Sequence, residues 1–424
     1  MHIRTPTGAA VEDAALHAAV ADFDLKKLSA QFHENPYPTY RALRQVDPVY
    51  RMADGSYFLT RYDDCLAVYR YPATWSSDKR IDFRPNFGDS LLYEHHTTSL
   101  VFNDPPYHTR VRKLLAPAFT PRALRALQHR VEHLVDRLLA TAADKGTIDL
   151  IADFASAIPV ALIGDMLGIP PDERGPLRAW SLAILGALEP VLSRQQFETG
   201  VTAVADFKDY LDRIICSRLR TGGGDPAEIL SKLIAASDYA AQGADDERLS
   251  KLELIHNCIF LLNAGHETTT NLIGNAVDLL IRHPDAMRDL RDNPDAMETA
   301  VEEFLRMESS NQLGNRRAVT DATLGGIAVK AGSYVHICIG AANRDPEQFA
   351  DPDRLDIRRQ PNRHLAFATG IHACAGMSLA RMEAQVAISR LLRRFAHIEP
   401  SGVAVRGGRA RFRGFKSYPV RLSA

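Results

Sequence analysis

The chain has 424 residues, 46% of them hydrophobic, which is enough to build a large buried core. Its 51 basic and 52 acidic side chains leave a formal charge of -1, which removes any global case for nucleic-acid binding or for an acidic-substrate channel. The five cysteines (Cys65, Cys216, Cys258, Cys338, Cys374) are far apart and form no C-x-x-C pair. That argues against a zinc ribbon, a cysteine-ligated iron–sulfur cluster or a disulfide framework, and fits a reducing compartment.

Residues 1–23 read as a flexible arm. Asp and Glu interrupt them, and no run there or later is expected to match a signal peptide or a membrane span. A cytoplasmic protein with no membrane or nucleic-acid partner is the expectation. From residue 24 a single domain is expected to run to residue 424. Pro36 and Pro38 open a short helix carrying Tyr40 and Leu43, and Asp54-Gly55 between Val49–Arg51 and Tyr57–Thr60 signals a hairpin. From about 108 to 310 apolar residues recur at helical spacing, with breaks at Gly168-Ile169-Pro170-Pro171 and Gly222-Gly223-Gly224. Short strands are expected over 316–338, an irregular meander over 343–364, and a helix from about Cys374 to Phe395.

Within this helical stretch, Asp104-Pro105-Pro106-Tyr107-His108 is followed by Arg112. His108 and Arg112 are four apart, so both can reach one point from one helix face, with an anion as a suitable target. A solvated basic helix start explains the same residues. The stretch 251–282 is long and mainly apolar, yet holds Ala264-Gly265-His266-Glu267-Thr268-Thr269-Thr270 at its centre. Glycine costs roughly 1 kcal/mol against alanine in a helix interior. A threonine hydroxyl can bond the carbonyl four residues back and open the helix locally, which would pair Thr268 with Ala264. A kink filled by threonines, or a solvated polar face, is the alternative. Glu303 and Arg306 share a helix face at i, i+3, a spacing common in surface pairs worth about 0.3–0.5 kcal/mol.

Small residues and glycines surround Cys374, and a helical pattern begins directly after it. A thiolate there would receive backbone N–H groups and the positive end of the helix dipole, lowering its pKa. Gly370 and Gly376 would let the backbone pass close to a flat, bulky cofactor. A buried free cysteine before a helix is the plainer reading of the same residues.

The run F-x-x-G-x-H-x-C-x-G from Phe367 to Gly376, with L-A-R-x-E at 379–383, resembles the haem-binding loop of bacterial cytochromes P450. So do A-G-x-E-T-T at 264–269, the E-x-x-R between these two segments, Asn343-Arg344-Asp345-Pro346, and D-P-P-x-H-x-x-x-R at 104–112. The matches keep their order from Asn35 to about Val420. The resemblance implies the mainly α cytochrome P450 fold, a triangular-prism single domain with small β-sheets. It implies a haem b whose iron is ligated by Cys374, a ligand that favours O–O cleavage. Phe367, Gly370, Ala264 and Gly265 would line the haem, and His108, Arg112, Arg316 and His372 would neutralise its propionates. Thr268 and Glu267 would manage protons, while Glu303 and Arg306 would be structural, tying their helix to the meander.

Substrate would meet Leu261, Leu262, Asn311, Gln312, Leu313 and Phe415. Ser309-Ser310-Asn311-Gln312 departs from the S-P-V common in relatives, and an amide of Asn311 or Gln312 is expected to bond a polar substrate group, with local backbone as the alternative partner. Ala368 replaces the family's glycine, tolerable if φ is negative there. The implied activity is monooxygenation of a small organic molecule by a monomer. A ferredoxin or flavodoxin with an NAD(P)H-dependent reductase would supply electrons, docking on Arg110, Lys113, Arg122, Arg125 and Arg381. A peroxide-dependent peroxygenase and a non-catalytic haem-thiolate sensor or carrier are the alternatives.

Overall fold

A computed structural model describes residues 16–17, 20–222, 224–225, 228–237 and 248–423. Most of the expected arm, 1–15 with 18 and 19, and Gly223 of the glycine run lie outside these residues. Val20 and Phe23, which fall within the expected arm, are buried, and Phe23 packs on Phe58 with ring centroids 4.9 Å apart.

The 251–282 stretch is one helix, Lys251–Arg282, opened by a capping box in which Ser250 and Glu253 each bond the other's backbone N–H. It is buried on almost every side because helices pack around it: Ala157–Leu167, Leu177–Gly186, Arg194–Thr221 and Met377–Arg394. A five-stranded sheet sits beside this helical body, ordered Val49–Arg51, Tyr57–Leu59, Tyr334–Cys338, Leu313–Ala318, Trp75–Ser76. The expected hairpin is its edge, with Val49 opposite Leu59. Tyr57–Leu59 runs parallel to Tyr334–Cys338, and the other pairs are antiparallel. The meander carries no helix or strand from 343 to 369. The helix after the cysteine begins at Met377, three residues later than expected, since residues 370–372 form a 3-10 turn.

One apolar stretch does reach a span's length, contrary to expectation. Leu150–Leu167 has a mean hydropathy of 1.7, but 67% of it is buried, and it divides into a π-helical turn and a separate α-helix. Its apolarity is that of a core element.

Candidate active site

The cysteine loop is held from within. Cys374 N–H donates to Phe367 O at 2.9 Å, and Ala373 N–H to Gly370 O at 3.1 Å. Gly370 has φ +73°, and a Cβ there would stand 2.6 Å from Tyr69 O. Its glycine therefore serves a left-handed turn against Tyr69. The protein atoms around Gly376 leave room for a Cβ, the nearest lying 3.8 Å away. Ala368 has φ +54°, so the condition under which its methyl group would be tolerated without strain is not met, and it carries the left-handed penalty of roughly 1–2 kcal/mol. Burial pushes the Cys374 thiol up, outweighing the Gly376 N–H and the charges of Arg112 and Arg381. The expected lowering fails because desolvation of a thiolate exceeds what one N–H and two guanidinium groups return.

A second group lies close by. His108 and His372 face each other with ring centroids 4.1 Å apart, and none of their four ring nitrogens has a hydrogen-bond partner among the described residues. Burial, then Arg316, His108, Arg112 and Lys79, hold His372 down to about 2. Burial, then Arg112, lowers His108. Arg316 lies over the Tyr69 ring and donates to Asn315 O at 2.7 Å. Lys79 is fully buried with Nζ 3.5 Å from Asp82, and burial lowers it to about 7. Lys79 escaped the sequence reading, since nothing local separates it from a surface lysine. Two arginines, a lysine and two neutral histidines are thus gathered largely without counter-charge, an expensive arrangement unless an anion joins them. A pair of carboxylates meets that demand, so the residues present fit haem.

The central helix presents its third component. Ala264 is exposed, and Gly265 and Thr268 half-exposed, in the middle of a helix otherwise buried. Thr268 Oγ1 donates to Ala264 O at 2.7 Å, as the spacing predicts. A Cβ on Gly265 would stand 2.8 Å from Ile163 Cδ1, so this glycine lets the two helices pack closely there. Glu267 turns away from Thr268's strip. Its Oε1 accepts from Arg409 Nη1 at 2.5 Å, its Oε2 has no partner, and burial raises it to about 7 despite Arg409.

Glu303 and Arg306 form no surface pair. Both are fully buried, 2.8 Å apart, and Arg306 Nη1 donates to Asn343 O at 2.8 Å and Pro352 O at 2.7 Å.

The expected substrate contacts divide. Leu261 and Leu262 are buried in the helical core. Leu262 is fully buried, and Leu313 is buried and packed with Tyr37, Tyr40 and Phe58. Gln312 Nε2 donates to Ser309 O at 2.7 Å, while its Oε1 packs against Gly340 and has no hydrogen-bond partner among the described residues. Asn311 sits in a β-bridge with Phe412, and Phe415 lies under the Arg406 guanidinium, 3.8 Å away. On the expected docking face Lys113, Arg122 and Arg125 are exposed. Arg110 and Arg381 are engaged by Glu253 and Glu302, because each finds a carboxylate distant in sequence.

Residues 25–407 match the family model for cytochrome P450. The chain belongs to the cytochrome P450 family. It is 35% identical over 374 residues to the biotin biosynthesis cytochrome P450 of Bacillus subtilis, covering 86% of this chain and 90% of that one. It is 38% identical over 374 residues to the vitamin D(3) 25-hydroxylase of Pseudonocardia autotrophica, covering 86% and 87%. Among solved structures, P450BioI in complex with a hexadec-9Z-enoic acid-ligated acyl carrier protein superposes with a TM-score of 0.86 at 33% identity, covering 93% and 99%. The chain is a bacterial haem-thiolate P450, an oxidoreductase of the monooxygenase kind with the mainly helical P450 fold.

Proposed function

We propose that Cys374 is the axial thiolate of a haem b, that Arg112, Arg316, His108 and His372 hold its two carboxylates, and that the enzyme inserts one oxygen atom from O2 into an organic substrate. The observation that carries this is the buried, unanswered cation and histidine cluster beside the cysteine loop. Bound haem supplies the redox activation of O2. Arg112 and Arg316 contribute fixed positive charge, and the two histidines contribute N–H donors that need no proton from solvent. The exposed strip from Ala264 to Thr268 leaves space over the site and offers the Thr268 hydroxyl to it.

Glu267, near 7, is divided between both protonation states at neutral pH, which suits a group that takes up and releases protons. Its longer side chain, compared with aspartate, lets the carboxyl swing between Arg409 and the Thr268 strip.

Relatives are named for hydroxylating vitamin D(3) and 6-deoxyerythronolide B, and a neighbour is seen with testosterone. We take a bulky, largely apolar molecule as the substrate class. Lys113, Arg122 and Arg125 would dock a ferredoxin or flavodoxin served by an NAD(P)H-dependent reductase, in a cytoplasmic monomer built as one haem domain.

The decisive test is the carbon monoxide spectrum of the reduced protein. The thiolate-type band is expected for the native chain, and its persistence in Cys374→Ser would overturn the assignment. Turnover driven by ferredoxin should exceed turnover driven by peroxide; the reverse order would select the peroxygenase alternative.

A further inference from the structure

A cavity of about 200 Å³ opens on the flank of the central helix, lined among others by Arg178, His266, Glu267, Asn271, Arg409 and Lys416. At 100° per residue, Glu267 lies roughly 60° around the helix from Ala264, so the cavity adjoins the strip facing the haem without being part of it. Three cations meet one lining carboxylate. Arg409 donates to Glu267 at 2.5 Å and to Leu182 O at 3.0 Å. Arg178 and Lys416 have no ion pair among the described residues. His266 is 1% exposed, its Nδ1 lies 3.2 Å from Ser181 Oγ, and its Nε2 has no partner. A second carboxylate nearby, Glu189, accepts the N–H groups of Ala410 and Arg411 on Oε2, and its Oε1 has no partner among the described residues, so two carboxylates stand against three cations. Arg178 is half-buried and Lys416 exposed at the open side of the cavity, and guanidinium and ammonium groups converging on such a volume are the chemistry that recognises carboxylate, phosphate and sulfate.

We propose that this cavity is a binding site for a small oxyanion, held by Arg178, Arg409 and Lys416, which competes with Glu267 for Arg409. The proposal goes beyond haem chemistry. Its binding test does not need turnover, so its failure is distinguishable from failure of the haem assignment, which the carbon monoxide spectrum reports.

The competition has a sign. Glu267 faces Arg409, Arg178 and Glu189, with burial raising it to about 7. Below that pH it is neutral and yields Arg409, and above it the carboxylate reclaims the guanidinium. His266, held at about 3 by burial, stays neutral across this range. Sulfate, which keeps its charge from pH 6 to 8, is therefore the first probe, and acetate, run at pH 8 where it too is fully ionised, is the second.

Calorimetric titration of the holoenzyme at constant ionic strength, balanced with chloride, should show saturable sulfate binding at pH 6, weaker by about fivefold or more at pH 8. Glu267→Gln should abolish that pH difference. The double variant Arg178→Gln, Lys416→Gln should weaken binding at least about tenfold while keeping its melting temperature, and Arg178→Lys should restore part of the loss. At pH 8, tighter binding of acetate than of sulfate would identify the oxyanion as a carboxylate, and the reverse as a tetrahedral anion. No saturable signal above the chloride control, or binding indifferent to the double variant, would overturn the site. Equal sulfate affinity at pH 6 and 8 would overturn the competition with Glu267.

Discussion

Two buried clusters of charge in this molecule have opposite accounts. Around Glu303 and Arg306 every charge is answered: besides their mutual bonds and the two carbonyls, Glu303 accepts from Asp356 N–H at 2.9 Å, Arg359 Nε at 3.2 Å and Asn362 Nδ2 at 3.1 Å. Around Arg316, Arg112, Lys79, His108 and His372 the carboxylates of Asp82 and Asp104 stand no closer than 3.5 Å to Lys79 and 4.0 Å to His372, and the ring nitrogens have no hydrogen-bond partner among the described residues. Buried charge that is satisfied internally builds structure, whereas buried charge left open anticipates a ligand. The first cluster pins a meander that has no regular hydrogen bonding of its own. The second keeps its histidines neutral until carboxylates arrive.

The largest expected effect separates the two directly. Arg306→Leu strands Glu303 in the core and should cost about 3–5 kcal/mol of stability with or without haem, read by denaturant unfolding. A loss confined to the haem-loaded protein would break the comparison. Arg316→Leu should act the other way round. The apoprotein should unfold at the same denaturant concentration or a higher one, while haem titration should show affinity lower by about 10–100-fold, the value of roughly 1.5–3 kcal/mol for a charged hydrogen bond.

Glu267 is intermediate, one oxygen answered and the other open. Its folded value near 7 lies above the ordinary 4.5, so the folded chain holds this proton more tightly than the unfolded chain. The stability it contributes is complete below about pH 4.5 and is lost as pH rises toward 7. Glu267→Gln cannot ionise, and between pH 5 and 8 it should lose about 2 kcal/mol less stability than the native chain, measured by unfolding at both pH values.

The smallest effect concerns the cysteine loop itself. Ala368→Gly relieves a left-handed alanine but frees the unfolded chain, so a net gain of about 0.5–1 kcal/mol and a slightly higher melting temperature are expected.

Much of the site was legible in the chain because its signals are local. The Cys374 loop, the Thr268 to Ala264 bond, the hairpin at Asp54-Gly55 and the pairing of Glu303 with Arg306 depend on residues within ten positions of one another. The orientation of Gln312 was not legible, for the opposite reason. Its amide chemistry was visible, but its direction was set by Ser309 and by a Gly340 backbone from another strand's end.

Sequence by itself therefore determined the family, the cysteine, the threonine-bearing helix and the order in which they occur, since spacing along a helix or turn is a property of covalent geometry. Tertiary structure alone decided which charges are answered. Lys79 comes to the histidines, Arg409 comes to Glu267 across 142 positions, and Glu302 engages Arg381. A charge's partner is whatever the packed core brings within about 4 Å of it, and no local pattern encodes that distance.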